Sequence, residues 1–154
     1  MRQILVTNDD GVEADGLRAL AKTLRTLGDV TVVAPAEEAS AVSHALTVRR
    51  PLQLREVREA WYSVDGTPTD CVNVAISEVM GRVPDLVVSG INNGLNVGDD
   101  VTYSGTVAGA LEGLACPIVL DPVMVAKGGD RLLAETAVMA LRETLLPRAA
   151  LVTP

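Results

Sequence analysis

The fold is decided by the stretch Ile4-Leu5-Val6-Thr7-Asn8-Asp9-Asp10-Gly11. Four β-prone residues followed by Asn-Asp-Asp-Gly are typical of a buried strand that ends where the polar residues begin. Ligands bind at the carboxyl ends of strands in open α/β sheets. Adjacent carboxylates repel each other, so a fold that keeps both there usually supplies a cation. The alternative is a turn, because Asp-Gly is a common turn dipeptide and Asp10 could cap the following helix.

The composition indicates one α/β domain over residues 1–154. The chain is 48% hydrophobic with only 2% aromatic residues, so its core must consist of Val, Leu, Ile and Ala. A net charge of −7 disfavours nucleic-acid binding through phosphate contacts. No apolar run approaches the ~18 residues of a membrane span, and no signal peptide is recognisable, so we expect a cytoplasmic protein that binds neither nucleic acid nor membrane. Cys71 and Cys116 fit no zinc or redox spacing, and Cys71 is expected in the core.

Strands and helices alternate along the chain, which favours a three-layer, doubly wound, mostly parallel sheet of the Rossmann-like type. The expected strands are Ile4 to Thr7, Val30 to Ala34, Leu46 to Leu54, Trp61 to Val64, Leu86 to Ser89, Ile118 to Leu120 and Ala150 to Thr153. The expected helices are Asp15 to Leu27, Thr69 to Met80, Thr106 to Leu114 and Asp130 to Leu145.

Oxygen-bearing side chains collect after the first three core strands. They are Asn8, Asp9 and Asp10, then Ser40, Ser43 and His44, then Ser89, Asn92, Asn93 and Asn96. Carboxylate, hydroxyl and carboxamide oxygens suit Mg²⁺, Mn²⁺ or Ca²⁺ rather than zinc. Ser104-Gly105-Thr106 opens a helix and could present N–H groups to a phosphate, although plain N-capping explains Ser104 and Thr106 equally. His44, the single histidine, is expected to be a loop residue rather than a catalytic base.

The first ~114 residues resemble the SurE family of nucleoside monophosphate phosphatases. The matching motifs are Thr7-Asn8-Asp9-Asp10-Gly11, Ala34-Pro35 with Ala39-Ser40, Ser43-His44-Ala45-Leu46-Thr47, Gly66-Thr67-Pro68-Thr69-Asp70-Cys71-Val72, Pro84-Asp85-Leu86-Val87-Val88-Ser89-Gly90-Ile91-Asn92 and Tyr103-Ser104-Gly105-Thr106-Val107.

The resemblance implies Mg²⁺ or Mn²⁺ held by Asp9, Asp10, Ser40 and Asn92. It also implies hydrolysis of nucleoside 5′- or 3′-monophosphates. On this interpretation Asp9 and Asp10 are the catalytic residues, the phosphate contacts are Asn96, Ser104, Gly105 and Thr106, and Gly66-Thr67-Pro68 line the pocket. One departure is Ala41, since the family usually has Gly after the ligand serine.

Residues 115–154 resemble instead a fragment of the hydroxymethylpyrimidine phosphate kinases, which have a ribokinase-like fold. The segment that carries this resemblance runs from Pro117 to Leu133. That family's Gly-rich anion hole and catalytic aspartate are missing, so no kinase activity is expected. The simplest interpretation is a chimera whose tail adds a strand, loop, helix and strand that complete the sheet.

Three functions follow as hypotheses. The first is a metal-dependent phosphatase for a nucleoside monophosphate or another small phosphomonoester. The second is a scaffold that retains the metal and phosphate site with little or no catalysis. The third is a nucleotide-binding module without chemistry. Assembly into a homo-oligomer is compatible with each of them.

Overall fold

The computed structural model describes residues 1–40, 42–92, 103–113, 118–120 and 149–152. Its elements, in chain order, are β1 (Gln3–Thr7), α1 (Asp15–Leu24), β2 (Asp29–Pro35), β3 (Leu54–Arg58), β4 (Trp61–Val64), α2 (Pro68–Val74) with a π-helical continuation (Ala75–Val79), β5 (Leu86–Ser89), α3 (Gly105–Glu112), β6 (Ile118–Leu120) and β7 (Ala149–Val152). In this part of the chain no helix is long and apolar enough to cross a membrane.

Five strands form one mixed sheet in the order β3-β4-β2-β1-β5. β4, β2, β1 and β5 run parallel, and β3 is antiparallel to β4. β1 is enclosed between β2 and β5, with Thr7 opposite Ser89 at its carboxyl end. The predicted α/β class and mostly parallel sheet are confirmed.

Alternate residues of β1 enter two different cores, as the two-residue period of a strand requires. Ile4 and Val6 pack with residues of α1 on one face of the sheet, and Leu5 packs with residues of α2 on the other. Helices therefore cover both faces, as the three-layer prediction required. Cys71 is fully buried in the second core, and this burial raises the pKa of its thiol well above the usual value. Its predicted place in the core is confirmed.

The helix α1 is shorter than its apolar pattern predicts. Leu17, Ala21 and Leu24 are buried as expected, but the helix ends at Leu24 and Leu27 is 62% exposed. After Leu24 the backbone N–H groups of Thr26 and Leu27 donate to carbonyl oxygens three residues back, so the chain tightens out of the α-helix.

The hairpin of β3 and β4 uses a different segment from the one predicted. Residues 55–58, which lie outside the predicted strands, belong to β3, while only Leu54 of the predicted strand Leu46 to Leu54 is in a strand. All five residues of β3 are exposed at the edge of the sheet, where charged side chains remain in water. The predicted strand therefore ends where the observed strand begins.

The strands of the tail pair with each other. β6 and β7 are parallel and form a two-stranded sheet, so within the described ranges the expected extension of the five-stranded sheet is not observed. The predicted helix from Asp130 to Leu145 lies outside the described residues, and the single-domain organisation of residues 1–154 stays a prediction.

Candidate functional site

The predicted acidic pair follows β1 directly. Asn8 is fully buried, and its side-chain amide donates to the carbonyl oxygen of Gly11 at 3.1 Å. Gly11 has a φ of +101°, a conformation that a side chain would strain, so the turn requires glycine there. Asp9 is only 3% exposed, whereas Asp10 is half-buried. The turn therefore directs Asp9 inward.

Asp9 is bound by the start of α3. The backbone N–H of Thr106 donates to Oδ2 of Asp9 at 3.1 Å, and the Thr106 hydroxyl donates to Oδ1 at 2.5 Å. Both carboxylate oxygens thus accept a charge-assisted hydrogen bond near the positive end of a helix. These contacts offset part of the cost of burying the carboxylate.

Glycine permits this close approach of α3. A Cβ on Gly105 would lie 2.7 Å from Cβ of Asp9, and a Cβ on Gly109 would lie 3.0 Å from Cγ2 of Thr7. Real Cβ contacts are longer than the first of these, so a side chain at Gly105 would push the helix away from Asp9. Gly105 therefore allows α3 to pack against Asp9, a function that the sequence analysis did not predict for it.

Two other loops meet the same end of β1. The backbone N–H of Ala39 donates to the carbonyl oxygen of Asp9 at 2.8 Å, which brings the neighbouring Ser40 to the loop after β1. The N–H of Gly90 donates to the carbonyl oxygen of Thr7 at 3.0 Å, which holds the segment leading to Asn92. The structure therefore brings the loops of the four predicted metal ligands together at one edge of the sheet.

The donor atoms at this edge fit a hard cation. Within the described ranges, no Lys, Arg or His pairs with Asp9, and Oδ1 of the buried Asn8 has no hydrogen-bond partner. Among the residues that the structure describes, no three or more His, Cys, Asp or Glu side chains cluster closely enough to hold a metal. A site here would accordingly need hydroxyl and amide oxygens beside the two carboxylates, as Mg²⁺ and Mn²⁺ accept.

The remaining predicted residues stand as follows. The Ser40 hydroxyl donates to the carboxylate of Glu38 at 2.7 Å and is exposed. Ser104 caps α3, and its hydroxyl oxygen accepts from the N–H of Val107 at 3.3 Å. The capping alternative is thus realised for Ser104. Asn96 and Ala41 lie outside the described residues, so a phosphate contact by Asn96 and strain at Ala41 stay predictions.

A cavity of about 480 Å³ lies beside the loop that follows β2. Two of the three residues predicted to line a pocket, Gly66 and Thr67, border it together with Ala39, whose N–H binds Asp9. Its other lining residues are Ala36, Glu37, Glu38, Val42, Thr47, Arg50, Val64 and Asp65.

Asp70 organises this cavity, and the sequence interpretation assigned it no role. Its carboxylate accepts from the backbone N–H groups of Thr47 at 3.0 Å and Thr67 at 2.9 Å, while Thr67 caps α2. Burial raises the pKa of Asp70, but the bonds from Thr47 and Thr67 outweigh it and leave the pKa below its usual value. The signal was present in the sequence as Thr67 followed by an acid three residues later, a capping-box spacing.

His44 joins its loop to the far end of α3. Its Nε2 lies 2.6 Å from Oε2 of Glu112, and the imidazole is about half exposed. Glu112 is the last residue of α3, whereas Asp9 contacts the first turn of that helix, so His44 lies at the end of α3 away from Asp9. His44 is in a turn, as predicted for a loop residue.

Comparison with known proteins identifies the chain. The family model described as survival protein SurE matches residues 4–119. The 5′-nucleotidase SurE of Pelobacter propionicus is 63% identical over 109 residues, which cover 71% of this chain and 44% of that protein. The SurE protein of Aquifex aeolicus, solved by crystallography, is 46% identical with a TM-score of 0.73, over 77% of this chain and 50% of that one.

The comparisons also bear on the tail. The 5′-nucleotidase SurE of Geobacter sulfurreducens is 52% identical over 152 residues, covering 94% of this chain and 58% of that protein. Such coverage exceeds residues 1–114, so the similarity to SurE proteins continues into the segment that we expected to be foreign. Nothing in the comparisons supports a kinase fragment or a chimera. The chain spans about half the length of the curated relatives it matches, and it belongs to the SurE family.

Proposed function

We propose that this chain carries the phosphomonoesterase site of a divalent-metal-dependent nucleotidase that hydrolyses nucleoside monophosphates. The observation that supports it is Asp9, a carboxylate 3% exposed at the carboxyl end of β1, whose described partners include no cationic side chain. Asp10 follows it directly. Relatives that share this segment carry the name 5′-nucleotidase.

The proposed ligand set is Asp9, Asp10, Ser40 and Asn92. Each oxygen of Asp9 accepts one hydrogen bond from Thr106, and a carboxylate oxygen has a second lone pair free for a metal. When bound, Mg²⁺ or Mn²⁺ would neutralise phosphate charge and lower the pKa of a bound water. We propose either metal, because both accept carboxylate, hydroxyl and amide oxygens.

The protein's own residues supply position and proton transfer. Asp9 is held by α3 and serves as the fixed anchor. Asp10 is half-buried and so more open to a substrate, which makes it the better candidate for moving a proton or attacking phosphorus. Asn96, Ser104 and Gly105 stay as proposed phosphate contacts, with the helix start contributing a favourable dipole.

The cavity bordered by Gly66 and Thr67 is the proposed site of the nucleoside. Its volume of about 480 Å³ lies in the range of small-molecule sites. Glu37 and Asp65 on its border can accept hydrogen bonds from ribose hydroxyls or base amino groups. These carboxylates would also repel further phosphates, which favours a monophosphate. A cytoplasmic location and assembly into a homo-oligomer remain predictions from the sequence.

Residues 115–154 include the segment from Pro117 to Leu133, whose resemblance predicts a kinase-derived tail. The relative that aligns over 94% of the chain supports the simpler proposal that these residues are SurE sequence.

Phosphate release from 5′-AMP and 3′-AMP with Mn²⁺, Mg²⁺ or EDTA tests the proposed function. The expected result is metal-dependent turnover that Asp9→Asn abolishes, in samples whose circular dichroism shows an intact fold. Turnover no higher than that of Asp9→Asn would refute catalysis. A thermal shift with Mn²⁺ but no phosphate release would favour the scaffold, and a shift with AMP alone would favour a binding module.

A further inference from the structure

Thr106 makes two contacts with Asp9 and uses every hydrogen it can donate. Its backbone N–H binds Oδ2 and its hydroxyl donates to Oδ1. A threonine has one N–H and one O–H, so neither remains for a phosphate oxygen, which can only accept. The predicted role of Thr106 as a phosphate contact conflicts with this count.

We propose that Thr106 is a positioning residue for Asp9. The two bonds fix the plane of the carboxylate, because a rotation about its Cβ–Cγ bond would break both. A metal-binding carboxylate held in this way keeps one lone pair of each oxygen directed at the site. The effects of Thr106 on metal and phosphate binding rest on the proposed function, whereas its contact with Asp9 does not.

The main chain around Thr106 is well placed for this role. Gly105 lets the first turn of α3 approach Asp9, and Ser104 caps that turn through the N–H of Val107. The N–H of Thr106 is therefore presented by a fixed helix end rather than by a free loop. Only the hydroxyl depends on the side chain, so Thr106→Val removes one of the two bonds and keeps the shape.

Stability without metal tests the contact directly. Melting temperatures of the unmodified chain, Asp9→Asn, Thr106→Val and the double variant are measured in EDTA. We expect Thr106→Val alone to lower the melting temperature by about 3–8 °C, and to lower it less in the Asp9→Asn background, where the hydroxyl no longer bonds a charged oxygen. Thr23→Val, at an exposed position of α1, is the matched control and should change little. Additive shifts would overturn the proposal.

Mn²⁺ affinity tests whether the positioning of Asp9 by Thr106 strengthens metal binding. In titrations with MnCl₂ followed by calorimetry, Thr106→Val should weaken binding about 10- to 100-fold, as outer-shell substitutions do, while Thr106→Ser stays within about threefold. At saturating Mn²⁺, the affinity for inorganic phosphate should be unchanged in Thr106→Val.

The Mn²⁺ and phosphate affinities of Thr106→Val distinguish a positioning role of Thr106 from a phosphate contact. Unchanged Mn²⁺ affinity with weakened phosphate binding would overturn the positioning role and restore the phosphate contact. If the unmodified chain bound no Mn²⁺, the proposed function would fail, and the stability measurements in EDTA would still decide the role of Thr106.

Discussion

Thr106 binds both carboxylate oxygens of Asp9, although 97 positions separate the two residues in the sequence. This pair links the end of β1 to the start of α3. It gives a buried carboxylate two donors and the positive end of a helix. Asp9 is consequently part of the packing between these elements as well as a candidate metal ligand, and the first three predictions separate the two roles.

Metal should stabilise the unmodified chain and leave Asp9→Asn unaffected. A ligand that binds only the folded state stabilises it by about 2.7 kcal/mol at one hundred times its dissociation constant. We expect a rise of several degrees in the melting temperature with excess Mn²⁺, reversed by EDTA. In EDTA, Asp9→Asn should melt below the unmodified chain, because a neutral amide replaces two charge-assisted bonds from Thr106 with weaker ones. Equal responses of the two proteins to Mn²⁺ would argue against a metal at Asp9.

Gly105→Ala should weaken metal binding and stability together. The new Cβ would lie 2.7 Å from Cβ of Asp9, so α3 or the loop after β1 must move. Overpacking of this kind costs about 1–3 kcal/mol. Chemical denaturation and a Mn²⁺ titration measure the two effects.

Gly113→Ala is the matched control for that substitution. Its Cβ would meet the side chain of Val87 at 2.8 Å, just beyond the opposite end of α3. We expect a loss of stability with unchanged Mn²⁺ affinity. If both alanine variants lost metal binding equally, the effect would come from general disruption of α3 rather than from the contact with Asp9.

Asp70→Asn should destabilise the chain at neutral pH and less so in acid. Hydrogen bonds from Thr47 and Thr67 outweigh burial and hold the pKa of Asp70 below its ordinary value. Because the unfolded state then takes up protons first, the contribution of Asp70 is present above about pH 4 and is lost as the pH falls through the lower folded-state pKa.

The measurement is urea denaturation of both proteins between pH 7 and pH 3. The expected difference at pH 7 is about 1–3 kcal/mol, typical of buried donors left without their acceptor. It should shrink below pH 4. Glu78→Gln, at an exposed carboxylate of the π-helical segment, is the matched control and should change the free energy of unfolding little at pH 7. If the difference in unfolding free energy between the two proteins stayed constant from pH 7 to pH 3, the charge of Asp70 would not contribute to stability.

Cys71 should resist thiol reagents until the chain unfolds. It is a free, fully buried thiol whose pKa is raised well above the usual value by burial, so it stays protonated and out of contact with reagent. In a Cys116→Ser background, Ellman's reagent should react in denaturant and remain nearly unreactive in buffer. Rapid reaction of the native variant would show that α2 opens readily.

The sequence by itself determined most of the elements and their class. The apolar run before Asp9 predicted β1 because four β-prone residues end at a turn, and β5 occupies the predicted residues Leu86–Ser89. The repeated alternation of strand and helix predicted a mostly parallel sheet, since parallel neighbours need crossover connections. Local periodicity suffices for such features because each is encoded within about ten consecutive residues.

Tertiary structure decided the strand order, the edge strand and the contacts of the site. The charged residues of β3 form a strand only because β4 pairs with them at an exposed edge. The sequence motif around Thr106 was compatible with a cap or a phosphate contact, and its proximity to Asp9 follows from how α3 packs on β1 through Gly105 and Gly109. Local patterns cannot encode contacts between residues 97 positions apart, because those contacts depend on the packing of every element between them.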